Sequence, residues 1–519
     1  MKSVLWLFLI VVLGLGTQKT IAYKILMVFP SFSQSHLIVA AGLLKGLAKK
    51  GHEVTMVSPF PQTKPLKNYR DIVIPLDVDK DAFMVDIVKG AGNPWAMFLK
   101  TNEMLKMSYG ISNSTMGLPE FRKVMEEESF DLLILGMFAN QYLGGLAYHF
   151  NCPVVVMSQV QAMYLTGGLV GNPFNVASSA HVFLGYHSQM TFRERVINFL
   201  VAGMELMMTQ YLRSIEREYY DSNFPSDKFP SYDESLKNVS LLLVNHHVSQ
   251  GAPRANVPAI VEIGGIHVED EVQPLPEDIQ EFLDTATDGA IFFSFGSNVK
   301  SSILPEHKLN AILKSFGKLK QKVLFKWETD NLPNMPSNMK IGKWMPQRDI
   351  LAHKNLKLFV SHGGMGSIIE SKYWGVPIVG IPFFGDQMGN MAAISDEGWA
   401  YQLNFDDLTE ESFSKALEEV LTKPKYRETV RKIAELYKDR PQTALETANY
   451  WIEYVIRHKG APHLQSHSVH LNFLQNNSID VIAFLILILY LTVKFIGIIV
   501  KFCWRILKNK FTGKKHKQM

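Results

Sequence analysis

Cysteine is almost missing. The chain has 519 residues and two cysteines, Cys152 and Cys503. That excludes a disulfide framework and leaves the fold to its hydrophobic core. An excess of either charge is missing as well: 53 basic against 49 acidic side chains leave a formal charge of +4. Charged residues are 20% of the chain and hydrophobic ones 47%. Those values exclude a disordered, collagen-like or coiled-coil protein. No internal repeat is visible beyond a two-fold recurrence of strand–helix–strand units. The length is that of roughly two to four domains.

Long apolar runs are confined to the two ends. At the N-terminus, Lys2 is a charged n-region and residues 4–15 an apolar h-region. Thr20-Ile21-Ala22 supplies small residues for cleavage, so 1–22 reads as a secretory signal peptide. An N-terminal anchor is the other reading, and the shortness of the run argues against it. At the C-terminus, residues 481–500 are enough for about 30 Å of helix, a membrane span. Only Lys494 interrupts it, and it can snorkel toward the basic side. Residues 501–519 then carry seven cations and no acid. The +4 total minus this +7 leaves −3 for the bulk. The basic balance is a tail effect and excludes a nucleic-acid partner. The positive-inside rule puts the tail in the cytosol. The expected protein is a single-pass type I membrane protein of the endoplasmic reticulum with a lumenal bulk. Cys152 and Cys503 then fall on opposite sides of the membrane boundary and cannot pair within one chain. Lys515 and Lys517, fifth and third from the end, resemble a dilysine retrieval signal; a plain stop-transfer cluster accounts for them equally well. Asn113, Asn238 and Asn476 head glycosylation sequons, the last too near the membrane to expect a glycan.

Between the ends, short apolar runs alternate with amphipathic stretches. Residues 24–29 read as a buried strand. Residues 35–50 read as a helix, with Leu37, Ala41, Leu44 and Leu47 at helical spacing and Gly51 ending it. Further strands are expected at 54–57, 132–135 and 154–157, with a helical stretch at 141–150. Residues 160–235 are helical, irregular and rich in Met, suiting either an adaptable lipophilic pocket or ordinary core. A second unit brings strands at 290–295, 323–327, 358–361 and 376–381. The pattern is α/β: two doubly wound, Rossmann-type domains facing a cleft at the carboxyl ends of their strands. We expect a first α/β domain at 23–250, a linker at 251–283 and a second α/β domain at 284–458. A juxtamembrane segment at 459–480 leads to the transmembrane helix at 481–500.

The densest constellation runs from Phe359 to Glu370. A strand ends at His362, Gly363 and Gly364 turn the chain, and a helix follows near Ser367. Free backbone N–H groups and the positive helix end suit a diphosphate there. Glu370, one helical turn after Ser367, can grip ribose hydroxyls. Upstream, Trp344-Met-Pro-Gln347 offers an aromatic plane and an amide. Downstream, Asp386-Gln387 can bind vicinal sugar hydroxyls. Phe295-Gly296-Ser297 places a hydroxyl at another strand end. Together these features describe a nucleotide-sugar site.

The stretch from Trp344 to Gln387 resembles the signature of the UDP-glycosyltransferase family, including its membrane-anchored animal glucosyl- and glucuronosyltransferases. The resemblance covers nearly the whole chain and implies a GT-B-like fold, with the acceptor bound by the N-terminal domain at 23–250 and the UDP-sugar donor by the domain at 284–458. By that resemblance, Trp344 stacks on uracil and Gln347 contacts the nucleoside. Ser297, His362, Gly364 and Ser367 hold the diphosphate, Glu370 the ribose, and Asp386 with Gln387 the sugar. His36, shortly after the first strand, is the general base, neutral at the start of its helix; His52 has no catalytic role. Many relatives pair this His with an Asp, which here falls on Gly136, so Asp131 is the nearest candidate for an orienting acid. Gly366 stands where some relatives have Asn. Asp77-Val-Asp79-Lys-Asp81 contains a D-x-D pattern, but its place far from the donor motifs argues against a metal site.

The expected function is inverting, metal-independent glycosyl transfer to a small lipophilic acceptor, as in detoxification or in hormone or pigment conjugation. UDP-glucose is favoured as donor and UDP-glucuronate comes next, since Arg254 is matched in users of both. No cofactor beyond the UDP-sugar co-substrate is expected, and self-association is left open. The alternative is a weakly catalytic relative that binds lipophilic ligands or partners, motivated by Gly136 and Gly366.

Overall fold

The computed structural model describes residues 22–515, apart from 77–79, 91–93, 138, 185, 187–188, 251–252 and 269–271. The expected signal peptide except Ala22, the D-x-D residues 77–79 and Lys517 therefore lie outside the described residues. Residues up to Gln465 form one compact unit and Ser466 onward a second.

The compact unit contains two parallel sheets. The first is built from β1 (Lys24–Val28), β2 (Glu53–Ser58), β3 (Tyr69–Val73), β4 (Leu132–Gly136), β5 (Val154–Ser158), β6 (Val239–Val244) and β7 (Ile260–Glu262). Their order in space is β3-β2-β1-β4-β5-β6-β7. The second comprises β8 (Ala290–Ser294), β9 (Lys322–Lys326), β10 (Met339–Gly342), β11 (Leu356–Ser361), β12 (Ile378–Gly380) and β13 (Ala400–Gln402), in the order β10-β9-β8-β11-β12-β13. Both orders reverse beside their first strand, which is the doubly wound pattern. The central strands β4, β5, β6 and β8 are buried along their whole length, as parallel strands covered on both faces must be.

The helices that matter for the site are α1 (Gln34–Lys49), α2 (Lys80–Lys89), α3 (Pro94–Gly117), α4 (Phe192–Asn223), α5 (Met365–Trp374), α6 (Gln387–Asp396) and α7 (Ala444–Arg457). Gly51, at φ +103°, ends the stretch after α1 as its sequence position requires. The Met-rich stretch condenses into α4, a 32-residue helix. Its Phe192, Phe199, Met204 and Met207 are exposed rather than gathered into a pocket.

Three expected boundaries differ from the structure. β7 lies inside the expected linker 251–283 and is the seventh strand of the first sheet, paired with β6 at Leu242–Ile260. α7, inside the expected donor domain, packs into the first core through Ala444, Ala448, Ile452 and Val455. Gly46 of α1 lets it in: a Cβ there would meet Leu445 Cδ1 at 2.1 Å. The expected juxtamembrane segment begins while the chain is still in the compact unit, where Ala461 is fully buried.

The second unit has short helical turns followed by one helix, Ile479–Lys515. Residues Ile479–Asn509 are long and apolar enough to cross a membrane. The helix outruns the 20 residues expected from the apolar run because nothing in the basic stretch breaks it.

Candidate active site

The site grows from the carboxyl ends of β1 and β8. After β1, Phe29 is fully buried, and the chain turns through Ser31 and Ser33 into α1. Ser31 Oγ accepts the Ser33 N–H at 3.1 Å. His36 sits in the first turn of α1. Burial pushes its pKa down to about 4, because removing water penalises the imidazolium. The ring is therefore neutral at pH 7, as a base must be.

The orienting-acid assignment to Asp131 is corrected by the geometry. Asp131 precedes β4, at the amino-terminal edge of the sheet, where its carboxylate accepts the Lys24 N–H at 2.8 Å. His36 follows the carboxyl edge of the adjacent strand. Five strand residues, about 16 Å, separate Asp131 from Gly136 at that edge. Gly136 itself has a packing reason: a Cβ there would lie 2.1 Å from Phe29 Cγ. The Phe29 ring fills the space that an Asp side chain would need.

In the second sheet, Ser294 of β8 pairs with Ser361 of β11. Their following turns meet around His362, the residue after β11. A Cβ at Gly296 would lie 2.7 Å from His362 Cε1, and one at Gly364 would lie 2.4 Å from Nε2. Two glycines thus cradle the imidazole, and Gly296 also needs its φ of +78°. Burial and the nearby Lys326 ammonium hold His362 at about 4, so it is neutral. His362 Nδ1 and Ser297 Oγ are buried without a hydrogen-bond partner among the described residues. Gly364 is the N-cap of α5, and no side chain caps that helix. Lys326 Nζ donates to Gly296 O at 2.7 Å and to Glu328 at 3.3 Å, placing a cation at the same turn.

Gln347, Ser367 and Glu370 form one network. The Gln347 amide donates to Ser367 Oγ at 3.1 Å and to Glu370. Burial raises the Glu370 carboxyl to about 7 against the pull of Gln347 and Arg348. His267, also buried, lies 3.8 Å from Glu370. Trp344 is 64% exposed, so its indole face is available for stacking. Asn390 joins Gly363 O (3.1 Å) to Asp386 Oδ2 (2.7 Å), and burial raises Asp386. Gln387 has a partly structural role: its Oε1 accepts the N–H groups of Phe383 and Phe384 at 2.9 and 3.3 Å.

The two sides meet at Asn298. Its amide donates to Ser33 Oγ at 3.1 Å and Ser35 Oγ at 3.4 Å, bringing α1 against the β8 turn. Sequence reasoning missed Lys326, Asn390, His267 and Asn298. Lys326 closes an apolar strand run, a weak signal; Asn298 and His267 are defined by partners far away in the chain, and Asn390 by Asp386 four residues before it and by Gly363. His52 bonds Glu453 and stacks on Tyr23, a structural role. Asn113 is exposed on α3 and Asn238 half-buried just before β6.

A model of the family described as UDP-glucoronosyl and UDP-glucosyl transferase matches residues 24–518. UDP-glucosyltransferase 2 of Dactylopius coccus is 36% identical over 89% of this chain and 90% of its own length. UDP-glucuronosyltransferase 1A8 of Homo sapiens is 30% identical over 89% and 88%. Among solved structures, a UDP-glucose: anthocyanidin 3-O-glucosyltransferase in complex with UDP superposes with a TM-score of 0.54 at 16% identity. That match covers 85% of this chain and 100% of the other.

Proposed function

The chain belongs to the UDP-glucoronosyl and UDP-glucosyl transferase family, and on that premise we propose that it transfers glucose from UDP-glucose to a hydroxyl of a small lipophilic acceptor, with inversion. UDP-glycosyltransferase activity is the family's chemistry; donor, acceptor and stereochemistry are our reading. His36 takes the acceptor's hydroxyl proton as its oxygen attacks the anomeric carbon. The bond to the UDP oxygen breaks, an α-linked donor gives a β-glycoside, and the proton later leaves His36 for water. Ser297, His362 and the first N–H groups of α5 face the departing diphosphate, with Lys326 beside them. No metal or cofactor is invoked.

The observation that carries this reading is the pair of partnerless buried atoms, His362 Nδ1 and Ser297 Oγ. Leaving such an atom unsatisfied costs about 1–3 kcal/mol, which a bound diphosphate would offset. The preference for glucose rests on Arg254. Its guanidinium donates to the carbonyls of Ala162 (3.3 Å) and Ala180 (2.6 Å), so it is engaged in holding loops rather than free for a sugar carboxylate. The Dactylopius coccus relative is named for the same transfer. Gly136 favours a second reading, a ligand-binding relative with little turnover.

We place the protein in the endoplasmic reticulum membrane, with 23–465 lumenal and 501–519 cytosolic, and with Asn113 and Asn238 as glycan acceptors. The test is turnover in membranes with UDP-glucose and UDP-glucuronate in competition, using a phenolic acceptor. Glucoside should dominate, His36→Ala should lower kcat by about 10²–10⁴, and chelators should change nothing. Turnover unchanged in His36→Ala would remove the base assignment. No binding of UDP at millimolar concentration, together with no transfer, would favour the second reading.

A further inference from the structure

Ser33 is the N-cap of α1, yet its hydroxyl accepts no N–H from its own helix. A serine cap normally contributes about 1 kcal/mol by doing so. Instead Ser33 Oγ lies 3.0 Å from Ser35 Oγ, and both receive the amide of Asn298. We propose that Asn298 is a positioning residue that ties the diphosphate turn to the first turn of α1 and so sets the place of His36. The inference rests on the transferase reading above and concerns a residue whose amide is bonded to Ser33 and Ser35.

Three placements support it. Asn298 directly follows Ser297, whose hydroxyl awaits a partner, and lies two residues after Gly296, which cradles His362. A diphosphate that orders this turn therefore orders Asn298. At the other end, His36 follows Ser35 in the same helical turn, so the tether acts within one residue of the base. Finally, Val299 is buried in one cluster with Met84 and Val88 of α2. That shared cluster also links the turn to the first half, so the two halves should stay docked when the amide is removed.

The test uses the full chain in detergent, with Asn298→Leu, the double variant Ser33→Ala/Ser35→Ala, and the triple combination. Misplacing a base by an ångström costs up to about a hundredfold. Asn298→Leu should lower kcat roughly ten- to a hundredfold and leave the UDP-sugar KM and the melting temperature near wild type. The double variant should match it, and the triple should lose nothing more, because all remove one interaction. In wild type alone, UDP should slow amide hydrogen exchange in a peptide covering residues 30–40. Wild-type kcat in Asn298→Leu, or losses that add fully in the triple, would overturn the proposal. So would UDP-dependent protection that survives in Asn298→Leu. If wild type transfers no sugar but shows that protection and Asn298→Leu does not, the transferase reading fails and the tether stands.

Discussion

A buried imidazole at the start of α1 gives up proton affinity to desolvation. With His36 at about 4, the imidazole proposed as the base stays unprotonated throughout the physiological range. The kcat/KM profile should therefore be flat from pH 7 to about 5 on the side governed by this group, falling only as pH drops through about 4. A fall centred near 6.5 would mean that the ring is hydrated in the free enzyme. Gly136 makes a second residue-scale prediction. Gly136→Ala drives a methyl into the Phe29 ring and should destabilise by about 1–3 kcal/mol, as overpacking does; denaturant unfolding measures it. At this scale part of the candidate site was legible because it is carried by contiguous residues: His362 to Glu370 form one turn and helix. The absence of the expected Asp was legible too, but not its cause. Phe29 and Gly136 lie on different strands, and only packing shows that the ring claims the space.

Helices and strands were legible where burial imposes a continuous apolar run, as in β4 and β8. β3 escaped notice because Tyr-Arg-Asp-Ile-Val is an edge strand with one buried residue, and such strands show no periodicity. β7 was hidden among the prolines and glycines that read as a linker. A different element-scale feature is the carboxylate of Glu216 on α4. It accepts from Tyr109 of α3 at 3.2 Å, from Tyr232 at 3.0 Å and from the Tyr142 N–H at 2.9 Å. Burial raises it from 4.5 to about 7 despite these bonds. The folded state thus holds a proton that the unfolded chain has released, so this group's contribution to stability declines as pH rises from 4.5 to 7. Glu216→Gln cannot ionise. Relative to wild type it should gain stability between pH 5 and 7.5, by up to about 3 kcal/mol. Urea unfolding at the two pH values checks this, and an equal difference at both would show the carboxyl to be ionised throughout.

Across the whole molecule, His36, His247, His267 and His362 all sit near 4 because burial disfavours their charged form. The unfolded chain binds protons at each of them below about 6.5. Their contribution to stability is therefore intact above that value and is lost as pH falls toward 4. Glu216 and Glu370 act in the opposite sense between 4.5 and 7, and burial raises Asp71 and Asp386 as well, so the rise is smaller than the histidines alone would give. Thermal stability should rise from pH 4.5 to about 6.5 and then level; a melting temperature highest at pH 5 would contradict the buried, neutral histidines. Topology is testable at the same scale. In intact microsomes, protease should remove a C-terminal tag and spare the bulk of the chain; loss of the whole chain would show the reverse orientation.

The return of α7 to the first sheet also has a consequence in time. The strands of that sheet are complete once Glu262 has been made, but Ala444, Ala448, Ile452 and Val455, which close its core, come about 180 residues later. At roughly 5–20 residues per second, the nascent first half waits some 10–40 s with the groove beside Gly46 open and apolar. A ribosome-stalled chain ending before residue 444 should remain sensitive to protease in its first half. One stalled far enough beyond 461 for α7 to emerge should not. The two halves of the sequence are therefore not two successive folding events: the first half is finished by nearly the last segment of the compact unit to leave the ribosome.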